Sequence, residues 1–288
     1  MADDFVIASQ SDLETALTAM ALAHRMVFFA GLPGVGKSLF IRELANVAHD
    51  MGRAVHFLQW DVVRPSFESQ AILDRCPERD GVTHPLLRMA IGQWVREAVV
   101  RWHRAHANSP SILIGEVPLI GNRLIELVQV RADDAEPLLA GPDTLFVTPV
   151  PSVTVRAAIE RARERTFANP AHPRESADAP PGLLQQIWLD TRALAVEIGA
   201  AAPVTGAPAL FDPQAYAAVY SHLLRHRNAA TLMVNAPLTQ NRSVYDLEVE
   251  ATDIVPTDDE TAELLMRLER EYTAEEIEHK VSRWFQST

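Results

Sequence analysis

Residues 31–38 read Gly-Leu-Pro-Gly-Val-Gly-Lys-Ser and follow directly on the apolar run Met-Val-Phe-Phe-Ala at 26–30. The spacing G-x-x-x-x-G-K-S lets a backbone curl so that successive N–H groups face one anion, while the start of the next helix adds partial positive charge. In such a loop Lys37 reaches the terminal phosphates of a nucleoside triphosphate and the Ser38 hydroxyl binds Mg2+. Gly31, Leu32, Pro33, Gly34, Val35, Gly36 and Leu39 complete the cradle. Composition sharpens the point. The chain has only two lysines, Lys37 and Lys280, against 24 arginines, and one of the two stands where a compact point charge is chemically wanted. A held ATP leaves open where its γ-phosphoryl group goes: to water, into a motion, or to a second substrate.

The segment Gln59-Trp-Asp61-Val-Val-Arg64 bears on that choice. It puts a carboxylate at the C-terminal end of a second strand, the edge where doubly wound parallel sheets assemble their sites. Asp61 there can accept the proton of an attacking hydroxyl, and Arg64 can hold an anionic acceptor by a two-pronged hydrogen bond. A helix cap or a solvated acid accounts for Asp61 equally simply, and a surface arginine for Arg64. Neither lysine outside or inside the loop is followed by the Asp of a guanine-reading motif, which argues against a Ras-like GTPase. No LSGGQ-like signature of a transporter ATPase occurs, nor a hydrophobic run ending in Asp-Glu of the kind AAA-type motors carry.

On Gly31–Ser38, Asp61 and Arg64, and the expected strand order, the chain resembles the P-loop kinase group that includes nucleoside monophosphate kinases, adenylylsulfate kinase and zeta-toxin-like kinases. The resemblance covers residues 26–235 loosely. It implies an ATP- and Mg2+-dependent transfer of the γ-phosphoryl group to a small-molecule acceptor. By position, Glu116 at the end of the third strand (Ile114-Gly-Glu116) takes the place of the acid that orients Mg2+ through water, with a capping or surface acid as the bland alternative. Arg123, beyond it on the same edge, is a candidate substrate contact, beside an Asn122 that could simply cap a helix. Members of the group carry an arginine-bearing lid helix after the fourth strand, which closes over the phosphates and excludes water. Here residues 153–167 carry Arg156, Arg161, Arg163 and Arg165. Arg161 and Arg165, four apart on one face, are the first candidates to neutralise the group in flight, while Arg163 points away from both. A solvated helix paired through Glu160 and Glu164 is the competing account. A regulatory or assembly ATPase acting on a protein partner, or a nucleotide-binding module without turnover, would share the loop without the acceptor.

Positioning these groups takes a sheet and its crossovers. Ser11-Asp-Leu-Glu14 heads a first helix to Ala23. Strands are expected at 26–30, 54–59, 111–115, 143–150 and 229–235, and helices at 37–51, 84–107, 121–130, 153–167, 183–200 and 213–227. Alternating strands and helices predict an α/β fold with one parallel sheet covered by helices on both faces; the resemblance implies its P-loop NTPase form, a three-layer αβα sandwich around a five-stranded parallel sheet of order 2-3-1-4-5. The domain reading is a kinase-like domain over 1–255, with a lid-like region at 153–181, and a helical tail over 256–288 packed on the core. Residues 168–181 read as a mobile loop, and Asn235-Ala-Pro-Leu238 lies where this fold cradles the nucleotide base. Arg96, Arg101, His103, Arg104 and His106 read as the solvated basic face of the long helix, and Trp60 as a core residue or a platform for a flat acceptor.

The net charge of −12 makes a nucleic acid a poor default partner, and 48% apolar residues suffice for a real core. Cys76, alone, can form no internal disulfide. No long apolar run and no basic leader is seen, so the expectation is a cytoplasmic chain without a membrane segment.

Overall fold

Met26–Ala30 forms a strand with every residue buried, because its two faces both meet helices. Met26, Phe28 and Ala30 point into one apolar cluster, Val27 and Phe29 into another, the period-2 alternation of a central parallel strand. The computed structural model describes residues 11–79, 82–168, 172, 181–203, 210–236, 247 and 249–287.

In chain order the elements are α1 (Asp12–Ala23), β1 (Met26–Ala30), α2 (Lys37–Asp50), β2 (Ala54–Gln59), α3 (Trp60–Val63), α4 (Gln70–Leu73), α5 (Pro85–Ala105), β3 (Ser111–Val117), α6 (Glu136–Leu139) and β4 (Thr144–Pro151). There follow α7 (Val153–Ala168), α8 (Pro181–Glu197), α9 (Pro213–Leu223), β5 (Ala229–Val234), β6 (Ala251–Asp253), α10 (Asp258–Glu271) and α11 (Ala274–Ser282). Local chemistry explains several boundaries. The Ser11 hydroxyl accepts from the Glu14 N–H at 3.2 Å to start α1, Pro85 occupies the first turn of α5, and complete capping boxes at Thr257/Glu260 and Thr273/Glu276 open α10 and α11.

All strands run parallel in the order β5-β4-β1-β3-β2-β6. Read from β2, five of them follow the expected 2-3-1-4-5, but among the described residues the sheet has six strands rather than five. The addition is β6, three residues hydrogen-bonded along β2 through the register Val55↔Ala251 to Phe57↔Asp253. Ala-Thr-Asp carries no apolar pattern, so only the unpaired edge of β2 makes it a strand.

Helices cover both faces. α1 and α2 pack Leu17, Phe40, Ile41 and Leu44 against Val27, Phe29, Ile112 and Ile114. On the other face α5, α8, α9, α10 and α11 close over Phe28, Leu113, Val117 and Phe146. Phe28 stacks on Phe146 with centroids 5.1 Å apart, and a Cβ on Gly115 would lie 2.3 Å from the Phe28 ring, so the strand before Glu116 must carry glycine there. Truncating Phe28 to alanine would cost about 3–5 kcal/mol. Two expectations need correction. Residues 121–130 are not a helix but a loop followed by a single 3-10 turn at Ile125–Leu127. Arg96 is no part of a solvated basic face: it is 2% exposed and bonds Asp133 at 2.6 and 2.7 Å, Glu136 at 3.0 Å and the Glu126 carbonyl at 2.6 Å. Among the described residues no helix is long and apolar enough to cross a membrane.

Candidate active site

Three strand ends meet at one place. β1 runs into the glycine loop, β2 into α3, and β3 ends at Glu116 and Val117, with Phe29, Glu116 and Gln59 side by side in register. Neighbouring strands lie about 4.8 Å apart. Glu116 therefore stands one strand from the loop that carries Lys37 and one strand from the turn that carries Asp61.

Gly34 and Gly36 adopt φ of 76° and 93°, a region that side chains disfavour, and this turns the chain so that α2 begins at Lys37. Gly36 is its N-cap and no side chain caps it, which leaves first-turn N–H groups for an anion. The Ser38 hydroxyl makes no hydrogen bond among the described residues and is half-buried. Leu32, Val35 and Leu39 are buried beneath the loop. Lys37, 4% exposed, donates from Nζ to the Leu32 carbonyl at 2.8 Å and lies 3.2 Å from Glu116 Oε1. Burial pushes its ammonium below the usual lysine value; Glu116 and Asp61 oppose this and Arg163 adds to it.

Asp61 is open to solvent, yet protein surrounds it closely enough that desolvation, reinforced by Glu116, raises its pKa against the pull of Arg64, Lys37 and Arg123. Arg64 is anchored to Glu68 at 3.2 Å. The half-buried Arg123 has its pKa lowered by desolvation, with Asp61 opposing and Arg64 adding to the shift. Lys37, Asp61, Glu116, Arg64 and Arg123 thus lie within electrostatic reach of one another at the C-terminal ends of β1, β2 and β3.

The arginines of α7 divide differently from their expected order. Arg161 and Arg165 lie exposed, with no hydrogen bond or ion pair among the described residues. Arg163 comes close enough to act electrostatically on Lys37. Arg156, seven residues earlier and hence on the same helical face, donates from Nη1 to the Pro33 carbonyl at 2.8 Å and from Nε to Glu160 at 2.7 Å, and its guanidinium sits 5.3 Å above the Phe211 ring. It straps α7 to the glycine loop, where a Cβ on Gly34 would come within 3.2 Å of Nη1. Spacing alone groups Arg161 with Arg165; the structure instead sets Arg156 on the glycine loop and Arg163 near Lys37.

Sequence reasoning also missed Arg88. From α5 it donates to the Gly121 carbonyl at 2.7 Å and so braces the loop that carries Arg123. No local spacing marks it, since the loop and the helix are far apart in sequence. Trp60 is 3% exposed and belongs to the core, so it offers no platform to a flat acceptor. Within Asn235–Leu238, residues 237 and 238 lie outside the described residues, as does most of 168–181.

No group of three or more His, Cys, Asp or Glu able to hold a metal occurs among the described residues. A magnesium ion at this site would therefore depend on nucleotide phosphates for most of its ligands, with Ser38 and Glu116 as the protein contribution. A hollow of about 250 Å³ lined by Thr148, Leu224 and Arg227 lies beside the start of β5 and the end of α9. Arg227 there is committed to Glu136 and to the Leu127 and Gln129 carbonyls. No family model matches the chain, and no curated protein is significantly similar to it.

Proposed function

We propose that the chain is a P-loop phosphotransferase that binds ATP with Mg2+ on residues 31–38 and passes the γ-phosphoryl group to a hydroxyl of a small molecule beside Asp61. The observation that carries the reading is the convergence of Lys37, Glu116, Asp61 and Arg123 from four separate segments on one end of the sheet. A glycine loop that only holds a nucleotide needs neither the acid nor the arginine opposite it. The order β2-β3-β1-β4-β5 within the sheet also agrees with the resemblance to P-loop kinases.

Lys37 waits on the Leu32 carbonyl and Glu116, and would exchange these contacts for phosphate oxygens. Bound Mg2+ would neutralise charge on the transferring group; Ser38 and Glu116 are the side chains that fit it. The acceptor oxygen attacks the γ-phosphorus, the bond to the β–γ bridging oxygen breaks with its electron pair leaving on ADP, and Asp61 takes the acceptor's proton. A carboxyl raised above its usual range is the better base near neutral pH. Arg163 lies near enough to Lys37 to face the same phosphates.

The test compares Lys37→Ala and Asp61→Asn for nucleotide binding and for phosphorylated product. Lys37→Ala should abolish binding. Asp61→Asn should keep binding and lower turnover by roughly a hundredfold or more, and wild-type turnover should rise with pH through the Asp61 value. Transfer left intact by Asp61→Asn overturns the proposal. ATP hydrolysis stimulated by a protein and by no small molecule would put a regulatory ATPase in its place.

A further inference from the structure

The site beside the glycine loop is built for an anion. The Arg123 guanidinium has no hydrogen bond or ion pair among the described residues, and neither has the Asp61 carboxylate: although each acts electrostatically on the other, no ion pair within 4.0 Å closes between them. Two opposite charges that act on each other without touching are each still available to a group that meets both.

The loop that presents Arg123 is held in an unusual shape. Leu119, Asn122 and Leu124 have φ of 64°, 59° and 63°, and Gly121 has 73°. Leu119 N–H donates to the Arg123 carbonyl at 2.9 Å and Arg123 N–H to the Leu119 carbonyl at 3.3 Å, while Arg88 grips Gly121. Tyr220 donates its hydroxyl to the Pro118 carbonyl at 2.8 Å. Left-handed backbone at non-glycine residues persists only where the surroundings over-determine it, and it clusters at ligand clamps. Here it aims one guanidinium.

The charge is local. The whole chain carries −12, yet Arg64, Arg123 and Lys37 all act on Asp61, and Arg123 acts on Arg88 in turn. With Arg64 paired to Glu68 and Lys37 to Glu116, the Arg123 guanidinium is the one of the three left to match the oxygens of a phosphate or carboxylate, and Arg64 can add to it by leaving Glu68.

Among the residues whose side chains are described, no Phe, Trp or Tyr is exposed to stack on a base. Those on the elements around this site, Trp60, Phe67 and Tyr220, are buried, and the half-buried Phe211, Tyr272 and Phe285 are engaged with Tyr216, Lys280 and Trp284.

We infer that the acceptor is a small aliphatic alcohol bearing a phosphate or carboxylate group, held by Arg123 and Arg64 with its hydroxyl at Asp61, and not a nucleotide read by base stacking. This rests on the phosphotransferase reading above. Transfer would form the bond from the alcohol oxygen to phosphorus, release ADP, and leave the alcohol proton on Asp61.

The full chain is assayed with Mg2+ and ATP against three sets of probes: aliphatic hydroxy acids and sugar phosphates, nucleoside monophosphates, and neutral polyols. ATP affinity is measured separately by calorimetry. ADP formation stimulated by the first set alone supports the inference. Arg123→Gln should then raise the acceptor KM roughly ten- to a hundredfold with ATP affinity unchanged, and Arg88→Gln should raise it less, through the loop it braces. Stimulation by nucleoside monophosphates or neutral polyols overturns the acceptor class and leaves the phosphotransferase standing. ATP binding with no stimulation by any set overturns the inference, and absence of ATP binding overturns both readings together.

Discussion

At pH 8.5 the protein should become more stable when Glu126 is replaced by glutamine. Glu126 sits in the 3-10 turn at Ile125–Leu127, just beyond the loop that presents Arg123, and it is fully buried. Its carboxylate lies over Gly92 of α5 so closely that a Cβ there would be 1.7 Å from Oε2, and Oε2 has no hydrogen-bond partner among the described residues. Burial drives its pKa from 4.5 up to about 7, against the opposing pull of Arg131, Arg96 and Arg88. The native state therefore keeps a proton that the unfolded chain has already lost in the window between these values, and stability falls as pH rises through it. At about 1.36 kcal/mol per pK unit, the shift from 4.5 to about 7 costs about 3 kcal/mol once pH is above the native value. Glutamine has no proton to lose. Urea unfolding of the wild type and Glu126→Gln at pH 5 and pH 8.5 isolates the effect, since all other groups titrate alike in both. The variant should gain about 3 kcal/mol relative to wild type between the two pH values. A difference that does not change with pH would refute the reasoning, as would one that shrinks as pH rises.

The glycine loop offers a second test, because a Cβ on Gly31 would lie 2.5 Å from the Tyr216 hydroxyl and 2.9 Å from Val35 Cγ2. Gly31→Ala should lose at least about 1 kcal/mol by overpacking, and Tyr216→Phe should restore part of it in the double variant; no coupling in that cycle would show that the loop relaxes elsewhere. Arg156→Ala removes the strap on Pro33 and the cover over Phe211, so it should destabilise by about 1–3 kcal/mol and raise the KM for ATP, whereas Arg161→Ala should leave stability within about 0.5 kcal/mol. Thermal melts with and without ATP separate the two, and equal effects would contradict the docking of α7 by its Arg156 face.

Much of the scaffold is legible in local pattern. β1 and β2 fall where apolar runs end in turn residues, α5 begins at Pro85, and α11 opens at a capping box, because each of those signals acts over a few residues. The misreadings share a cause. Residues 121–130 look helical because their apolar residues recur at helical spacing, but the buried Ile125 and Leu127 are drawn onto α5 from a loop whose hydrogen bonds close at Leu119 and Arg123. β6 escapes notice because three polar or small residues become a strand only beside the open edge of β2.

The site divides along the same line. Sequence alone determined the glycine loop, its lysine and its serine, since strand, turn and helix start are contiguous and a nest of backbone N–H groups is a local construction. It also put Asp61 and Glu116 at strand ends, with Arg123 in an expected helix beyond the third strand, which is as far as a one-dimensional pattern reaches. Only the tertiary structure decided which charges come within reach of one another. Parallel pairing brings Glu116 between β1 and β2, and the docking of α7 sets Arg156 on the loop and Arg163 near Lys37, with Arg161 and Arg165 exposed. Such choices belong to packing, because a helix has no preferred face until another element covers one of them.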